Sequence, residues 1–294
     1  MGRAKLSKGH AKVPTHLIFV TSSVFHYLGP SFAVILFGYL PVLGVAWLRI
    51  ATAAATFAIW RKPWRTVLHP LRIGEISGCV GLGATFAAMN SFFYLAISRI
   101  PLATVGAIEF LAPVAMAAAG VRSLRNLVAL SAASLGAFSL SEIQLSQEPL
   151  ALAFALANCA LFGCYIALGH RFAQQGSSTG INRVGLSMMF ALVFMTPVGI
   201  SGASSFLQPV LLAAGIGVGI CSSVLSYVLD QFAMSRLPRA TFALLLSILP
   251  AMATIIGAVV LRQLPTPGQL VGILLIIGGV AFHQPMRDSP GANT

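Results

Sequence analysis

Ten stretches of apolar residues, each long enough to cross a lipid bilayer as a helix, follow one another along the chain with short breaks between them. A crossing helix takes about 20 such residues, because inside hydrocarbon every backbone N–H and C=O has to be satisfied within the helix itself. At that length the runs fall at 15–37, 42–60, 73–97, 101–120, 124–141, 150–172, 180–202, 207–234, 239–261 and 266–284. The breaks carry helix-stopping residues: Lys62-Pro63, Arg99-Ile100-Pro101, Gln175-Gly176-Ser177-Ser178, Leu237-Pro238 and Pro265-Thr266-Pro267. Links this short make neighbouring helices antiparallel and leave no room for a soluble domain. The predicted fold class is an all-α integral membrane protein of ten transmembrane helices. Of the 294 residues, 57% are hydrophobic and 8% are charged, against about 25% charged in a soluble domain, and the mean hydropathy is +0.89. A water-soluble enzyme is excluded on those grounds. Four cysteines (Cys79, Cys159, Cys164, Cys221) sit in apolar runs without CxxC spacing, which predicts buried packing rather than a disulfide framework or a metal site.

The few charges are lopsided, 18 Lys and Arg against 6 Asp and Glu, a formal +12. Their placement gives them a topological meaning. With the N-terminus in the cytoplasm, the inner segments hold Arg3, Lys5, Lys8, Lys12, Arg61, Lys62, Arg65, Arg72, Arg122, Arg125, Arg171, Arg183, Arg236, Arg239 and Arg287, 15 of the 18. The outer segments hold Arg99 and Arg262, and Arg49 falls within a span. Lys and Arg collect on the cytoplasmic side of membrane proteins, so both termini are expected inside and no nucleic-acid partner is needed to explain the charge. The basic stretch 1–14 precedes an apolar run longer than the core of a secretory signal, which is about 7–15 residues; that run is expected to be retained as the first helix.

Residues 96–120 align without gaps to 233–257 at an offset of 137, with eight identities: Ala96/Ala233, Ser98/Ser235, Arg99/Arg236, Pro101/Pro238, Ala103/Ala240, Thr104/Thr241, Pro113/Pro250 and Gly120/Gly257. Shared S-R-x-P and A-T strings and a matched mid-helix proline point to duplication. The offset carries the third and fourth spans onto the eighth and ninth, five helices later, and five is odd, so the halves enter the membrane with opposite orientation. Inverted repeats of this kind are typical of secondary transporters, which hold substrate near the midplane between the halves. The chain thus divides into a basic cytoplasmic N-terminus (1–14), a first five-helix repeat (15–141), an outer linker (142–149), a second five-helix repeat (150–284) and a cytoplasmic tail (285–294).

The repeated junctions SRIPLATVGAIEFLAP and SRLPRATFALLLSILP resemble the drug/metabolite transporter superfamily, EamA branch, and within it the threonine/homoserine exporter group. Further matching pieces are Leu48-Arg49 followed by Lys62 to Arg65, Asn90 to Ile97, Ala107 to Pro113, and Tyr227 to Pro238; the resemblance runs from about residue 16 to 284. It implies an inner-membrane exporter of small metabolites, amino acids foremost. In the sixth span this chain reads FGCYIA, Phe162 to Ala167, where members of the family often carry tryptophan, and that departure leaves the substrate open.

Ionised side chains inside a bilayer are costly unless paired or wet, so each is a functional candidate. Counting from the outer helix ends at 1.5 Å per residue, Arg49 and Asn90 lie about 10 Å deep and Glu109 and Asn158 about 12 Å. One layer therefore holds all four, and an ion pair or shared hydrogen-bond network between Arg49 and Glu109 is expected. Arg49 with asparagine amides suits a substrate carboxylate; Glu109 with carbonyls suits an ammonium group. The alternative is a structural bridge between the second and fourth spans. Tyr94, Tyr165 and Tyr227 are placed to line a cavity or to sit at the interface. Asp230, near Arg236 and Arg239, reads as a gate or helix-cap salt bridge with Arg236. His26 falls near mid-span, whereas His10, His16, His69 and His283 fall at or beyond the interfaces. Pro113 and Pro250 are candidate hinges, since each removes a backbone hydrogen bond. The glycines at 74, 78, 81 and 83 and at 215, 217 and 219 are expected to let helices pack closely.

No HExxH, GxSxG, aspartate dyad or usable Cys–His pair is present, so neither catalysis nor a cofactor or metal is expected, and no acidic or carbonyl filter repeats as a channel requires. The function expected is secondary export of threonine- or homoserine-like amino acids or related small metabolites by alternating access. Proton coupling through Glu109 is one option and uniport or exchange another. Aromatic amino acids, drugs or other metabolites are the second class of cargo. Partners are a small-molecule substrate and the lipid bilayer; the oligomeric state is open.

Overall fold

A computed structural model describes residues 15–67, 73–118, 123–140, 148–199, 208–246 and 248–282. The N-terminal basic segment, Arg72, Arg122, Arg287, His10, His69 and His283 lie outside the described residues. The regular structure described is helical throughout. The elements are α1 (Thr15–Leu36), α2 (Val42–Arg61), α3 (Trp64–Val67), α4 (Ile73–Ile97), α5 (Leu102–Glu109), α6 (Leu111–Ala118), α7 (Leu124–Leu140), α8 (Pro149–Ala173) and α9 (Ser177–Gly199). They continue with α10 (Pro209–Gly219), a π-helical turn (Ile220–Leu225), α11 (Ser226–Met234), α12 (Arg239–Leu245), α13 (Ile248–Leu261) and α14 (Pro267–Phe282).

Proline punctuates these helices as its geometry requires, since its ring fixes φ and its missing N–H is harmless in a first turn. Pro149, Pro209 and Pro267 open α8, α10 and α14, and Pro41 and Pro101 immediately precede α2 and α5. Lys62 closes α2 in the left-handed region at φ 48°, with its N–H on the Ala58 carbonyl at 3.2 Å.

Among the described residues, seven helical stretches are long and apolar enough to cross a membrane: Leu17–Leu36, Val42–Arg61, Ile73–Ile97, Pro149–Ala173, Ser177–Gly199, Pro209–Met234 and Thr241–Leu261. Leu102–Met116 is a shorter apolar stretch, and α7 and α14 have 17 and 16 residues. Three runs read as single helices are interrupted. Pro113 has no N–H for the Glu109 carbonyl, and the helix steps at Phe110 between α5 and α6. Pro250 stands in the same relation to Leu246, which follows the end of α12 at Leu245 and precedes the start of α13 at Ile248. The 207–234 run contains the π-turn, a feature that apolar periodicity does not signal.

The apolar core holds a minority of buried polar groups. Tyr27, Tyr94, Tyr165 and Tyr227 are buried with Arg49, Asn90, Glu109, Asn158 and Asp230 among apolar side chains, while Leu17, Ile73, Val193, Val210, Val259 and Leu274 are exposed. An apolar exterior fits hydrocarbon as the solvent, with the polar groups kept away from it. The α7–α14 pair is the most extensive contact; α2 lies on α9, α4 on α8 and α9, α1 on α11 and α13, α10 on α2, α5 on α13 and α6 on α12. Small residues set the closest approach: a Cβ at Gly219 would lie 2.6 Å from Thr52 Cβ and 2.9 Å from the Arg49 carbonyl. All four cysteines are free; Cys79 and Cys159 are buried, Cys221 is half-buried, and Cys164 is exposed on the apolar exterior, contrary to the expectation of burial.

Candidate functional site

Arg49 is held by the π-turn. Its Nε donates to Ser223 Oγ at 2.7 Å and its Nη2 to the Ser222 carbonyl at 3.0 Å. A π-turn displaces the regular i to i−4 bonding, and here one carbonyl of the turn, that of Ser222, accepts from a guanidinium. The Arg49 guanidinium carbon also stands 5.5 Å from the centre of the Tyr94 ring. The two bonds use two of the five arginine donors, so donors remain for a ligand.

Glu109 sits at the end of α5, against the Pro113 break. Tyr27 donates its hydroxyl to Glu109 Oε2 at 3.0 Å, and Asn158 Nδ2 donates to Oε1 at 3.0 Å. Arg49, Glu109, Asn90, Asn158, Tyr227, His26, Met89 and Phe93 line one pocket, so narrow at its centre that it admits about one water molecule. Two buried polar atoms on this lining, Asn158 Oδ1 and Tyr227 OH, have no hydrogen-bond partner, and neither has Tyr94 OH beside Arg49. Unmet polar atoms in a buried site are costly; a polar ligand supplies what they lack.

The four residues predicted from membrane depth, Arg49, Asn90, Glu109 and Asn158, thus meet on one pocket, and of the three candidate tyrosines Tyr227 joins them. The contact expected between two of them does not form: the ion pairs of the described residues are Arg99–Glu148 at 3.9 Å and Arg183–Glu75 at 2.6 Å. Arg49 and Glu109 instead bond to hydroxyls, a carbonyl and an amide, which satisfy each charge without drawing the helices together. Asn90 gives its Nδ2 to the Phe86 carbonyl of its own helix at 2.7 Å. Tyr94 and Tyr165 stand outside the lining.

Asp230 is not the salt-bridge partner of Arg236. Buried between α1, α8 and α11, it accepts hydrogen bonds from Ser22 Oγ at 2.6 Å and Tyr165 OH at 2.7 Å, while Arg236 lies beyond the end of α11. Sequence reasoning missed Tyr27, Ser22, Met89, Phe93 and the serines of the π-turn, whose types are common in any membrane helix. His26 had a signal, its mid-span place, and lies on the pocket. Arg183, counted with the cytoplasmic segments by its charge, is buried inside α9 on Glu75 and 5.1 Å from the Phe172 ring centre.

A helical exterior made for lipid around a buried polar pocket defines a multi-pass membrane transporter. The EamA-like transporter family matches residues 149–283. The chain is 32% identical over 255 residues to the threonine/homoserine exporter RhtA of Escherichia coli, covering 85% of this chain and 84% of that protein. To the threonine/homoserine exporter RhtA of Salmonella typhimurium it is 30% identical over 255 residues, with the same coverage of 85% and 84%. A solved crystal structure superposes with a TM-score of 0.65 at 18% identity, covering 91% of this chain and 95% of that one, a likeness of fold. The chain belongs to the EamA family of transporters, and it is a transmembrane transporter rather than an enzyme.

Proposed function

We propose that this protein is a secondary exporter of amino acids, threonine- or homoserine-like, in the bacterial inner membrane, working by alternating access. The observation that carries the reading is the pocket on which Arg49, Glu109, Asn158 and Asn90 converge with unpartnered polar atoms. A zwitterion complements that lining: its carboxylate suits the Arg49 donors, and its ammonium suits Glu109 and the Asn158 Oδ1 acceptor. The pocket centre holds only about one water, so loading requires helices to part, which is what alternating access supplies.

A ten-helix fold of two inverted halves, 15–141 and 150–284, with both termini cytoplasmic, is part of the proposal. Its support lies in the packing. When each span is exchanged for the one five places on, α4 against α8 becomes α11 against α1, α4 against α9 becomes α10 against α2, and α5 against α8 becomes α13 against α1; all are contacts of the structure. The offset of 137 also carries Asn90 onto Tyr227, and both line the pocket. The family match at 149–283 spans one such half. The interrupted helices at Pro113 and Pro250 sit at equivalent places and serve as the hinges of this scheme.

The test is counterflow. Purified protein in liposomes preloaded with unlabelled substrate is given labelled threonine, homoserine, an aromatic amino acid or a cationic dye. Met89 and Phe93 give the pocket an apolar wall, so the aromatic amino acid belongs in the panel. Exchange of threonine or homoserine is expected; exchange of the dye alone overturns the amino-acid reading.

A further inference from the structure

The molecule holds a second buried carboxylate that the pocket does not use. Asp230 is 3% exposed and makes no ion pair among the described residues. Two hydroxyls from two other helices point at it, Ser22 on α1 and Tyr165 on α8. Ser22 Oγ is also 3.1 Å from the Ser226 carbonyl, yet a serine hydroxyl has one proton to give. With the carboxylate ionised, that proton turns to Asp230 Oδ1. With the carboxylate protonated, its own O–H donates to Ser22 Oγ, and the serine proton turns to the Ser226 carbonyl. Both protonation states are therefore satisfied by rotation of one hydroxyl, without an accompanying cation.

We propose that Asp230 is a proton-binding site separate from the substrate pocket, and that the proton carried there drives export of the amino acid held beside Arg49 and Glu109. This rests on the export reading above. The proton binds the carboxylate from the outer side and leaves it to the cytoplasm, and no other bond is made or broken. The titratable groups on the helices packed around α11 are few. On α1, His26 lies one turn from Ser22; on α8, Tyr165 bonds to Asp230, and His170 is 3.0 Å from the Leu237 carbonyl. On α9, Arg183 is committed to Glu75; the π-turn holds Cys221, α12 begins at Arg239, and on α11 itself Tyr227 is three residues before Asp230.

The link to transport is geometric. An ionised Asp230 ties α1 to α8 and α11 through two charge-assisted hydrogen bonds, which are about twice as strong as neutral ones. Protonation weakens both. The Tyr165 ring stands 5.2 Å from that of Tyr227, and Tyr227 lines the pocket, so the helices that sense the proton also shape the substrate site.

The experiment uses the full chain in liposomes, with threonine exchange and threonine movement driven by an imposed pH gradient measured side by side. Wild type is expected to move threonine toward the acidic compartment against its concentration gradient. Asp230→Asn is expected to keep a slower exchange that no longer varies with pH and to show no gradient-driven movement; Asp230→Glu is expected to keep the drive. Tyr165→Phe removes a donor to the ionised form and leaves the protonated form its bond to Ser22, so the pH midpoint of transport is expected to move up by about 1 unit. Gradient-driven movement by Asp230→Asn at the wild-type rate overturns the proposal. Should that variant not fold, an unshifted pH profile in Tyr165→Phe overturns it as well. Wild-type exchange that ignores the pH gradient defeats the proton site alone, whereas wild type that exchanges no amino acid defeats the export reading beneath it.

Discussion

Glu109 shows how much a single side chain is asked to do in this fold. A carboxylate buried in hydrocarbon has to be compensated locally, and here the compensation comes from Tyr27 and Asn158 at 3.0 Å each rather than from a cation. Those donors orient the carboxyl group on the pocket, where an ammonium can meet it. Glu109→Gln keeps the shape and removes the charge. The Tyr27 hydroxyl rotates to accept from the new amide and Asn158 presents its amide either way, so the variant is expected to fold. Exchange of threonine by this variant should fall by about tenfold or more, because a hydrogen bond to a charged group is worth about 1.5–3 kcal/mol and 1.4 kcal/mol is a factor of ten. Unchanged exchange in the counterflow assay removes Glu109 from the ammonium site. Arg49 works by the same economy, anchored to Ser222 and Ser223 with donors to spare.

At the scale of elements, two devices position these side chains. Prolines 113 and 250 deny the Glu109 and Leu246 carbonyls their usual donor, Leu246 taking the Leu249 N–H at 2.9 Å instead, so the break in the first half coincides with the functional carboxylate. The other device is the close approach of α2 to α10 and the π-turn, which brings Arg49 within reach of Ser222. Gly219 permits it, since an added Cβ meets Thr52 and the Arg49 backbone, whereas a Cβ at Gly217 meets nothing within 4 Å. Gly219→Ala is expected to destabilise by about 1–3 kcal/mol, the range for overpacking, and to displace Arg49, lowering exchange. Gly217→Ala serves as the matched control, with stability equal or higher because alanine is the better helix former by about 1 kcal/mol. Thermal unfolding of both in detergent checks the contrast; equal losses refute this account of the α2–α10 contact.

At the scale of the whole molecule, the proposed topology puts the Arg99–Glu148 pair, exposed on both partners, on the outer face and the Arg61–Asn182 contact at 2.8 Å on the cytoplasmic face. A membrane-impermeant thiol reagent applied to intact cells should label Glu148→Cys and spare Asn182→Cys, in a background free of the native cysteines. The reverse pattern inverts the topology. Ten apolar runs, the bias of basic residues and the repeat at offset 137 were written in the sequence, because hydropathy and charge act on each segment by itself and the bilayer reads them one segment at a time. Membrane depth likewise singled out Arg49, Asn90, Glu109 and Asn158, since burying polar groups in hydrocarbon marks them wherever they stand. Their partners were not legible there. Whether Arg49 meets Glu109 or the π-turn depends on distances of a few ångströms between helices, which are set by Gly219, the proline breaks and the turn itself. Tyr27, Ser22 and Tyr165 become partners of carboxylates only when distant helices pack, 82, 208 and 65 residues apart along the chain. A hydrogen bond falls off within an ångström, so its partners are decided by tertiary packing, whereas the hydrophobic drive to enter the membrane is additive along the chain and was fixed by the sequence alone.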